Sequence, residues 1–297
     1  MRVRRIIPIV AFLALTGCDG TQLSFLNPQG PIASQQRTHF LVIIAFMTIV
    51  ILPVLVLTPL LIWRYRYGKG ASYMPEARLP WWIEIVLLGV PLMVVGVLGV
   101  LLWRNTAALD PWRPMEEAGA PLHIQVVGYD WKWLFIYPDQ GVATVGEMVF
   151  PAGTPIAFEL TSETVMQSFW IPALGGQVYA MGGGMVTQLH LMADRPGVFR
   201  GLNTQYNGLG FAEQQFNARA VPAAEFNAWV SAVRTEGAPL DDRAMSALAR
   251  KNTAQDVARL LSPKAAADPV RLFPVPEAFF ADLVRRASAP SHGGYGH

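Results

Sequence analysis

The side chains that most often bind metals or act as nucleophiles are sparse in this sequence. Its 297 residues include one cysteine, Cys18, and five histidines: His39, His123, His190, His292 and His297. A single thiol excludes an internal disulfide and a dithiolate metal site within one chain. No two histidines have the spacing of a ligand pair, and no nucleophile–base pair or phosphate-binding loop is present. The sequence therefore predicts no metal in this chain and no separate hydrolase or nucleotide-dependent activity.

Glu84 lies at the edge of an apolar segment, where a carboxylate is unexpected. It directly precedes the run from Ile85 to Trp103, which carries no charged residue. A carboxylate one short turn inside a membrane segment is costly unless it snorkels to the surface or faces protein or water. Spacing alone leaves two interpretations open, which are an interfacial charge that snorkels and a group that takes up protons.

Two apolar segments predict a membrane-spanning hairpin. Residues 38–64 and 82–104 are each long enough to cross a hydrocarbon core of about 30 Å, at about 1.5 Å per helical residue. The linking residues 65–81 contain three basic side chains and one acidic side chain. Short basic loops stay in the cytoplasm, so we expect a cytoplasmic loop at 65–81 and two flanks on the outer side.

The first 17 residues predict an export signal. A basic start and a short apolar run end at Gly17, directly before Cys18, and this ending resembles the lipobox of bacterial lipoproteins. The resemblance implies that residues 1–17 are a lipoprotein signal peptide, that Cys18 is acylated, and that residues 18–37 are an exported N-terminal segment. The alternative is a plain signal peptide beside a free or buried thiol.

The composition favours a chain that lies partly in membrane lipid. Hydrophobic residues make up 52% and charged residues only 15%, whereas soluble domains carry about 25% charged residues. The net charge of +2 does not favour nucleic acid as a partner.

Residues 120–222 change to short alternating runs with frequent turn signals. The first two strands are expected to turn near Gly128 and to place Trp131 and Trp133 on one strand face, where both would pack. Several short strands with regular turns favour an antiparallel sandwich or barrel. Residues 223–285 have the apolar spacing of short helices, and the Gly-rich tail 286–297 is expected to be disordered.

Met181 and Met185 flank three glycines, a pattern that suggests a copper carrier. Methionine is also an ordinary filler of protein cores, and glycines suit a tight turn. We therefore expect these methionines to pack.

Three motifs in consecutive order resemble subunit II of the haem–copper oxidases. They are GYDWKW at 128–133, VMQSFWIPALGGQVYAM at 165–181 and DRPGVFRGLNTQYNGLGFAEQQF at 194–216. The resemblance implies the fold class, which is an N-terminal transmembrane α-helical hairpin plus an all-β cupredoxin-like Greek-key sandwich, with short C-terminal helices.

The ligands of that family's dinuclear copper centre are missing from this sequence. In cytochrome c oxidases they are a histidine before Ser-Phe and a loop with two cysteines, a glutamate, a second histidine and a methionine. By the resemblance, the corresponding positions here are Gln167, Asn203, Gln205, Asn207, Phe211 and Gln214. Copper at such a site requires soft thiolate and imidazole ligands. The resemblance therefore implies that this chain contains no redox cofactor.

The same pattern resembles subunit II of the bo-type quinol oxidases. This implies a subunit of a proton-pumping ubiquinol oxidase, which couples quinol oxidation to the reduction of oxygen to water. Haems, copper and quinol are then expected in subunit I, and subunits III and IV are further expected partners. Glu84 stands seven residues before Pro91 and matches the family's glutamate at the mouth of a proton pathway. The expected location is the bacterial inner membrane, with a periplasmic domain and an N-terminal lipid anchor.

Two alternatives remain open at this point. One is an electron-accepting cytochrome c oxidase subunit with unusual copper ligands, which the missing cysteines disfavour. The other is a membrane-tethered copper-binding or oxidase assembly protein that acts alone and does not copurify with a haem-bearing partner.

Overall fold

The computed structural model describes residues 25–66, 80–115, 119–261 and 269–288 of the chain. The chain divides into two compact units, residues 37–110 and residues 1–36 together with 111–297. The expected signal peptide at 1–17, Cys18 and most of the expected loop at 65–81 lie outside the described residues.

Two long apolar helices, α1 (Pro31–Arg64) and α2 (Trp81–Ala108), coincide with the expected membrane segments. Both are long and apolar enough to span a bilayer. Helix α1 begins seven residues before position 38 and α2 ends four residues after position 104, because helical hydrogen bonding continues into polar residues beyond an apolar run. Asn105 Nδ2 lies 2.8 Å from His39 Nδ1 and joins the two helices.

The first turn of α1 is attached to the sandwich by backbone hydrogen bonds. The Ala33 N–H donates to the Leu174 carbonyl at 3.1 Å, and the Gln29 N–H donates to the Ala173 carbonyl at 2.8 Å. The Asp194 N–H donates in turn to the Gln29 carbonyl at 2.8 Å. This pairing explains why α1 begins earlier than hydropathy indicates.

Eleven strands in the described part of the chain form a two-sheet sandwich. The strands are β1 (Leu122–Tyr129), β2 (Lys132–Tyr137), β3 (Val142–Val145), β4 (Glu147–Pro151), β5 (Ile156–Ser162), β6 (Gln167–Trp170), β7 (Val178–Ala180), β8 (Thr187–Leu191), β9 (Gly197–Asn203), β10 (Gln215–Val221) and β11 (Val270–Leu272). One sheet has the order β11-β3-β2-β1-β5-β8, and the other has the order β4-β10-β9-β6-β7. Pairing is antiparallel except between β1 and β5 and between β4 and β10. The predicted fold class is confirmed.

Aromatic rings fill the space between the two sheets. Phe169 and Phe216 stack with their centroids 5.1 Å apart, and Trp133 meets Phe169 edge-on at 5.4 Å. Such rings bury a large area and favour offset or edge-on contacts. The aromatic core therefore fixes how β2, β6 and β10 face one another.

The C-terminal segment places three of its four described helices on the outer face of the six-stranded sheet and its first helix against the core between the sheets. It contains α3 (Ala223–Glu236), α4 (Asp242–Ala249), α5 (Ala254–Leu261) and α6 (Phe279–Ser288). Leu248, Val257 and Phe280 belong to a second apolar cluster with the outward-facing Leu134 and Ile136. Strand β2 is consequently buried on both faces.

Two expectations about the C-terminal segment were incomplete. The region 223–285 also contains strand β11, which pairs with β3, because three residues acquire strand geometry from a partner without a local pattern of their own. Helix α6 continues to Ser288, so residues 286–288 of the expected disordered tail are helical. Residues 289–297 lie outside the described part of the chain.

The first turn lies at Asp130 and Trp131, and the expected turn at Gly128 is wrong. Gly128 pairs with Trp133 within the β1–β2 ladder. Trp131 has a φ of 71°, a conformation uncommon for a large side chain. Trp131 and Trp133 therefore do not share a strand face, since Trp131 is part of the turn and only Trp133 is in the core.

Lys132 is a buried lysine at the start of β2. Its side chain is 1% exposed, and its ammonium donates to the carbonyls of Asp130, Arg250 and Asn252 at 3.2, 2.8 and 3.3 Å. Burial lowers the pKa of Lys132 to about 8, although the carboxylates of Asp130 and Asp256 raise it. The side chain connects the first hairpin turn to the loop between α4 and α5.

We predict that Lys132→Met lowers the free energy of unfolding by about 1–3 kcal/mol at neutral pH, because three carbonyls lose their donor. The pKa of Lys132 lies below its ordinary 10.5. Between about pH 8 and 10.5, Lys132 therefore binds more protons in the unfolded chain than in the folded chain. The free energy of unfolding of the wild type then rises with pH relative to that of the variant. Denaturant titration of the full chain in detergent measures both effects.

The matched control is Lys251→Met, which removes an exposed lysine beside Asp130. It is expected to change stability by less than about 0.5 kcal/mol at every pH. A stability gap between wild type and Lys132→Met that narrows above pH 8 would contradict the assignment.

Candidate functional site

Three strand ends bring the predicted ligand positions together. Gln167 begins β6, Asn203 ends β9, and Gln214 directly precedes β10. Phe169 of β6 pairs with Asn203, and the Asn203 N–H donates to the Gln214 carbonyl at 3.1 Å. The antiparallel pairing of these strands therefore collects side chains that are distant in sequence.

Four amide side chains, Gln167, Asn203, Asn207 and Gln214, bond to one another and are named the amide network. Gln214 Nε2 donates to Gln167 Oε1 at 2.5 Å. Gln214 Oε1 accepts from Asn203 Nδ2 at 2.9 Å and from Asn207 Nδ2 at 2.7 Å. The Tyr129 carbonyl accepts from Gln167 Nε2 at 3.1 Å and from Gln214 Nε2 at 3.2 Å.

Three of the four side chains in the amide network are almost completely removed from solvent, and Asn207 is half-buried. Gln167 is 0%, Gln214 1% and Asn203 3% exposed. Asn203 Oδ1 accepts from the backbone N–H groups of Ser168 and Gln205, both at 2.9 Å. Buried polar groups are tolerated when they are hydrogen-bonded. Three bonds lie within the network, and five join it to neighbouring groups. Among the described residues, Asn207 Oδ1 has no hydrogen-bond partner.

Gly128 provides the space for this arrangement. A Cβ atom at position 128 would collide with the side chain of Gln167 and approach Trp133. The glycine of the GYDWKW motif is therefore required by close packing, and the turn follows two residues later.

Trp131 stabilises the loop between β9 and β10. Its indole lies against Gly208 and Gly210, where Cβ atoms would contact the ring, and its Nε1 donates to the Asn207 carbonyl at 3.3 Å. Sequence analysis missed this role because it placed Trp131 on a strand. The Asn207–Gly210 segment, with its two glycines, was the available signal.

The other two predicted positions lie in the same region and make different contacts. Gln205 contributes its backbone N–H to Asn203 Oδ1. The Phe211 ring packs against Tyr206 with centroids 5.7 Å apart. The structure thus brings four of the six positions into one hydrogen-bonded network.

The phenol of Tyr129, the residue whose carbonyl accepts two bonds from the network, is buried. Burial raises the pKa of the Tyr129 phenol well above its ordinary value, and Glu163 raises it further. Burial also raises the pKa of Glu163, whereas Arg286 lowers it. The phenol therefore stays protonated at physiological pH.

These residues do not suit a dinuclear copper centre. Carboxamides are neutral, hard donors, whereas copper in such a site requires soft thiolate and imidazole ligands. Three amide hydrogen bonds converge on the Gln214 side chain, and a metal ion would have to break them. The described residues also contain no cluster of three His, Cys, Asp or Glu side chains.

The remaining candidates lie elsewhere. Glu84 is in the first turn of α2 and is exposed, and Cys18 is outside the described residues. His190 Nδ1 lies 2.9 Å from the Pro111 carbonyl. Because a carbonyl only accepts, this nitrogen must carry a proton, so His190 makes a structural hydrogen bond.

Comparisons with known proteins agree on one family. The family model of the cytochrome c oxidase subunit II periplasmic domain matches residues 141–216. The chain is 40% identical over 258 residues to cytochrome bo(3) ubiquinol oxidase subunit 2 of Pseudomonas putida, covering 86% of this chain and 81% of that one. It is 42% identical over 251 residues to ubiquinol oxidase subunit 2 of Acetobacter aceti, covering 84% and 80%.

Among solved structures, the chain is similar to the periplasmic domain of subunit II of cytochrome oxidase of Bradyrhizobium japonicum. The identity is 27% and the TM-score 0.37, covering 38% of this chain and 93% of that one.

We predict that Gln214→Met destabilises the protein by about 3 kcal/mol, because it leaves buried amide groups of Gln167 and Asn203 without partners. The matched control is Gln215→Met, whose side-chain hydrogen bonds are exposed and which should cost less than about 0.5 kcal/mol. Denaturant unfolding of the full chain in detergent, followed by tryptophan fluorescence, measures both. Equal midpoints for the two variants would refute a structural role of the network.

Proposed function

We propose that this chain has a structural role and holds no redox centre. The chain belongs to the ubiquinol oxidase subunit 2 family and is a subunit of a terminal quinol oxidase. The oxidase is an oxidoreductase complex, and the chain is an inner-membrane protein with two candidate spanning helices. The finer assignments below concern what this subunit contributes.

The amide network is the observation that carries the proposal. At the positions where copper-bearing relatives have metal ligands, Gln167, Asn203, Asn207 and Gln214 bond to one another. These bonds join β6, β9 and β10, so amide cross-links take the place of metal–ligand bonds. The domain thus keeps its shape without a metal and without accepting an electron.

Electrons in this complex would pass from quinol directly to subunit I. That subunit would hold the haems, the copper and the quinol site, and this chain would bind it together with subunits III and IV. The exported domain would then act as a rigid cap that supports assembly. A water-soluble donor such as cytochrome c would find no acceptor on this chain.

The orientation follows from the distribution of charge. The loop at 65–81 is basic and would lie in the cytoplasm, so the sandwich would lie in the periplasm. Acylation of Cys18 would add affinity of about 0.8 kcal/mol per buried methylene. Two spanning helices already anchor the chain, and the lipid would be an accessory.

Glu84 would stand at a proton entrance. It lies in the first turn of α2, at the expected cytoplasmic end, and its side chain is exposed. A carboxylate at the membrane edge usually faces protein or water. We therefore assign it to the contact with subunit I, where it would take up protons from the cytoplasm.

The complex, purified through a tag on this chain, is predicted to consume oxygen with a ubiquinol analogue and not with reduced cytochrome c. Oxygen-electrode assays with each donor measure this, and the haem spectrum of the same sample shows whether subunit I copurifies. Activity with cytochrome c would restore the electron-accepting alternative. A chain that purifies without haem would instead support a protein that acts alone.

Glu84→Gln is predicted to lower turnover by about tenfold, equivalent to 1.4 kcal/mol on the barrier, because the amide cannot exchange a proton. The KM for quinol should not change, since the quinol site would be elsewhere. Glu84→Asp, which keeps the carboxylate, should recover most of the rate. Equal turnover in wild type and Glu84→Gln would rule out the proton role and leave an interfacial charge.

A further inference from the structure

Strands β6 and β7 end beside two methionines. Gln167 and Ala180 form the terminal pair of their antiparallel ladder, and Met166 and Met181 are the next residues on the two strands. Their backbones therefore lie next to each other just beyond the ladder. Gln167 and Ala180 are fully buried, whereas Met166 is 41% exposed and Met181 is partly exposed.

A glycine turn returns a third methionine to the same place. Gly183 and Gly184 have φ values of 73° and 78°, which glycine adopts without strain. Thr161 Oγ1 lies 3.3 Å from the Met181 carbonyl and 3.0 Å from the Met185 carbonyl. One hydroxyl thus holds both backbones, and three thioether side chains start from neighbouring positions.

Core packing does not explain these methionines. Met148 lies in the core with 0% exposure, whereas Met166 is 41% and Met185 54% exposed, and Met181 is partly exposed. The expectation that these methionines pack is therefore wrong for Met185, whereas Met181 is half-buried. Three flexible side chains at one surface position can bring their sulfurs together.

From this juxtaposition we propose that Met166, Met181 and Met185 form a surface site for Cu(I). Thioether sulfur is a soft, uncharged ligand that selects Cu(I) over harder divalent cations. The site has no thiolate among its three ligands and is open to solvent, so bound Cu(I) exchanges with solution. This property is independent of quinol oxidation and of the amide network on the opposite face of β6.

The test is equilibrium dialysis of the full-length chain against micromolar Cu(I) that ascorbate keeps reduced, with the protein-bound copper measured by atomic absorption. All proteins carry Cys18→Ser, so that the thiol cannot contribute. The parent chain is expected to retain one Cu(I). Combined Met166→Leu, Met181→Leu and Met185→Leu should abolish retention, and Met181→Leu alone should weaken it by about tenfold or more, because one of three soft ligands is lost.

Leucine is close to methionine in volume and should preserve the fold, which thermal unfolding checks. The matched control is Met245→Leu on α4, which should retain Cu(I) as the parent does. X-ray absorption at the copper edge should show sulfur neighbours. The proposal is overturned if the parent retains no Cu(I), if the triple variant retains as much, or if the copper neighbours are only nitrogen and oxygen.

Discussion

The side-chain amide of Gln214 holds together the end of the sandwich at which the loop between β9 and β10 lies. An amide offers two donors and two acceptor positions, and Gln214 uses them for Gln167, Asn203, Asn207 and the Tyr129 carbonyl. These partners belong to separate strands and loops, so a single side chain connects them. Because the network is buried, losing one member would leave the others unpaired at a cost that water cannot offset.

Other internal groups extend the same constraint through the domain. The Trp131 indole fixes the loop above the network, and the next residue, Lys132, binds the loop between α4 and α5 with its ammonium. The C-terminal helices thereby cover a sheet face that would otherwise expose Leu134 and Ile136. The described residues thus connect the amide network to the C-terminal layer through the turn at Trp131 and Lys132.

The start of strand β6 brings an amide side chain and a thioether side chain next to each other in sequence but in different surroundings. Its inner face carries Gln167, which belongs to the neutral network, while the preceding Met166 is partly exposed and lies beside Met181 just beyond the ladder. In our proposals the inner position serves structure and the outer position binds soft metal. The same proposals assign redox chemistry to another subunit, and this chain would contribute shape, membrane anchoring and the Glu84 carboxylate.

Composition and periodicity predicted the two apolar helices and an antiparallel sandwich or barrel of short strands. The resemblance to subunit II of the haem–copper oxidases identified Asn203 and Asn207 as positions that lack soft ligands. Contacts between residues far apart in the chain were needed to show that the amides pair with one another, that Trp131 belongs to a turn, and that β11 exists, because local patterns contain no signal for such contacts. The proximity of Met166 and Met181 is of the same kind, because the register of β6 against β7 is a property of two strands and not of either alone.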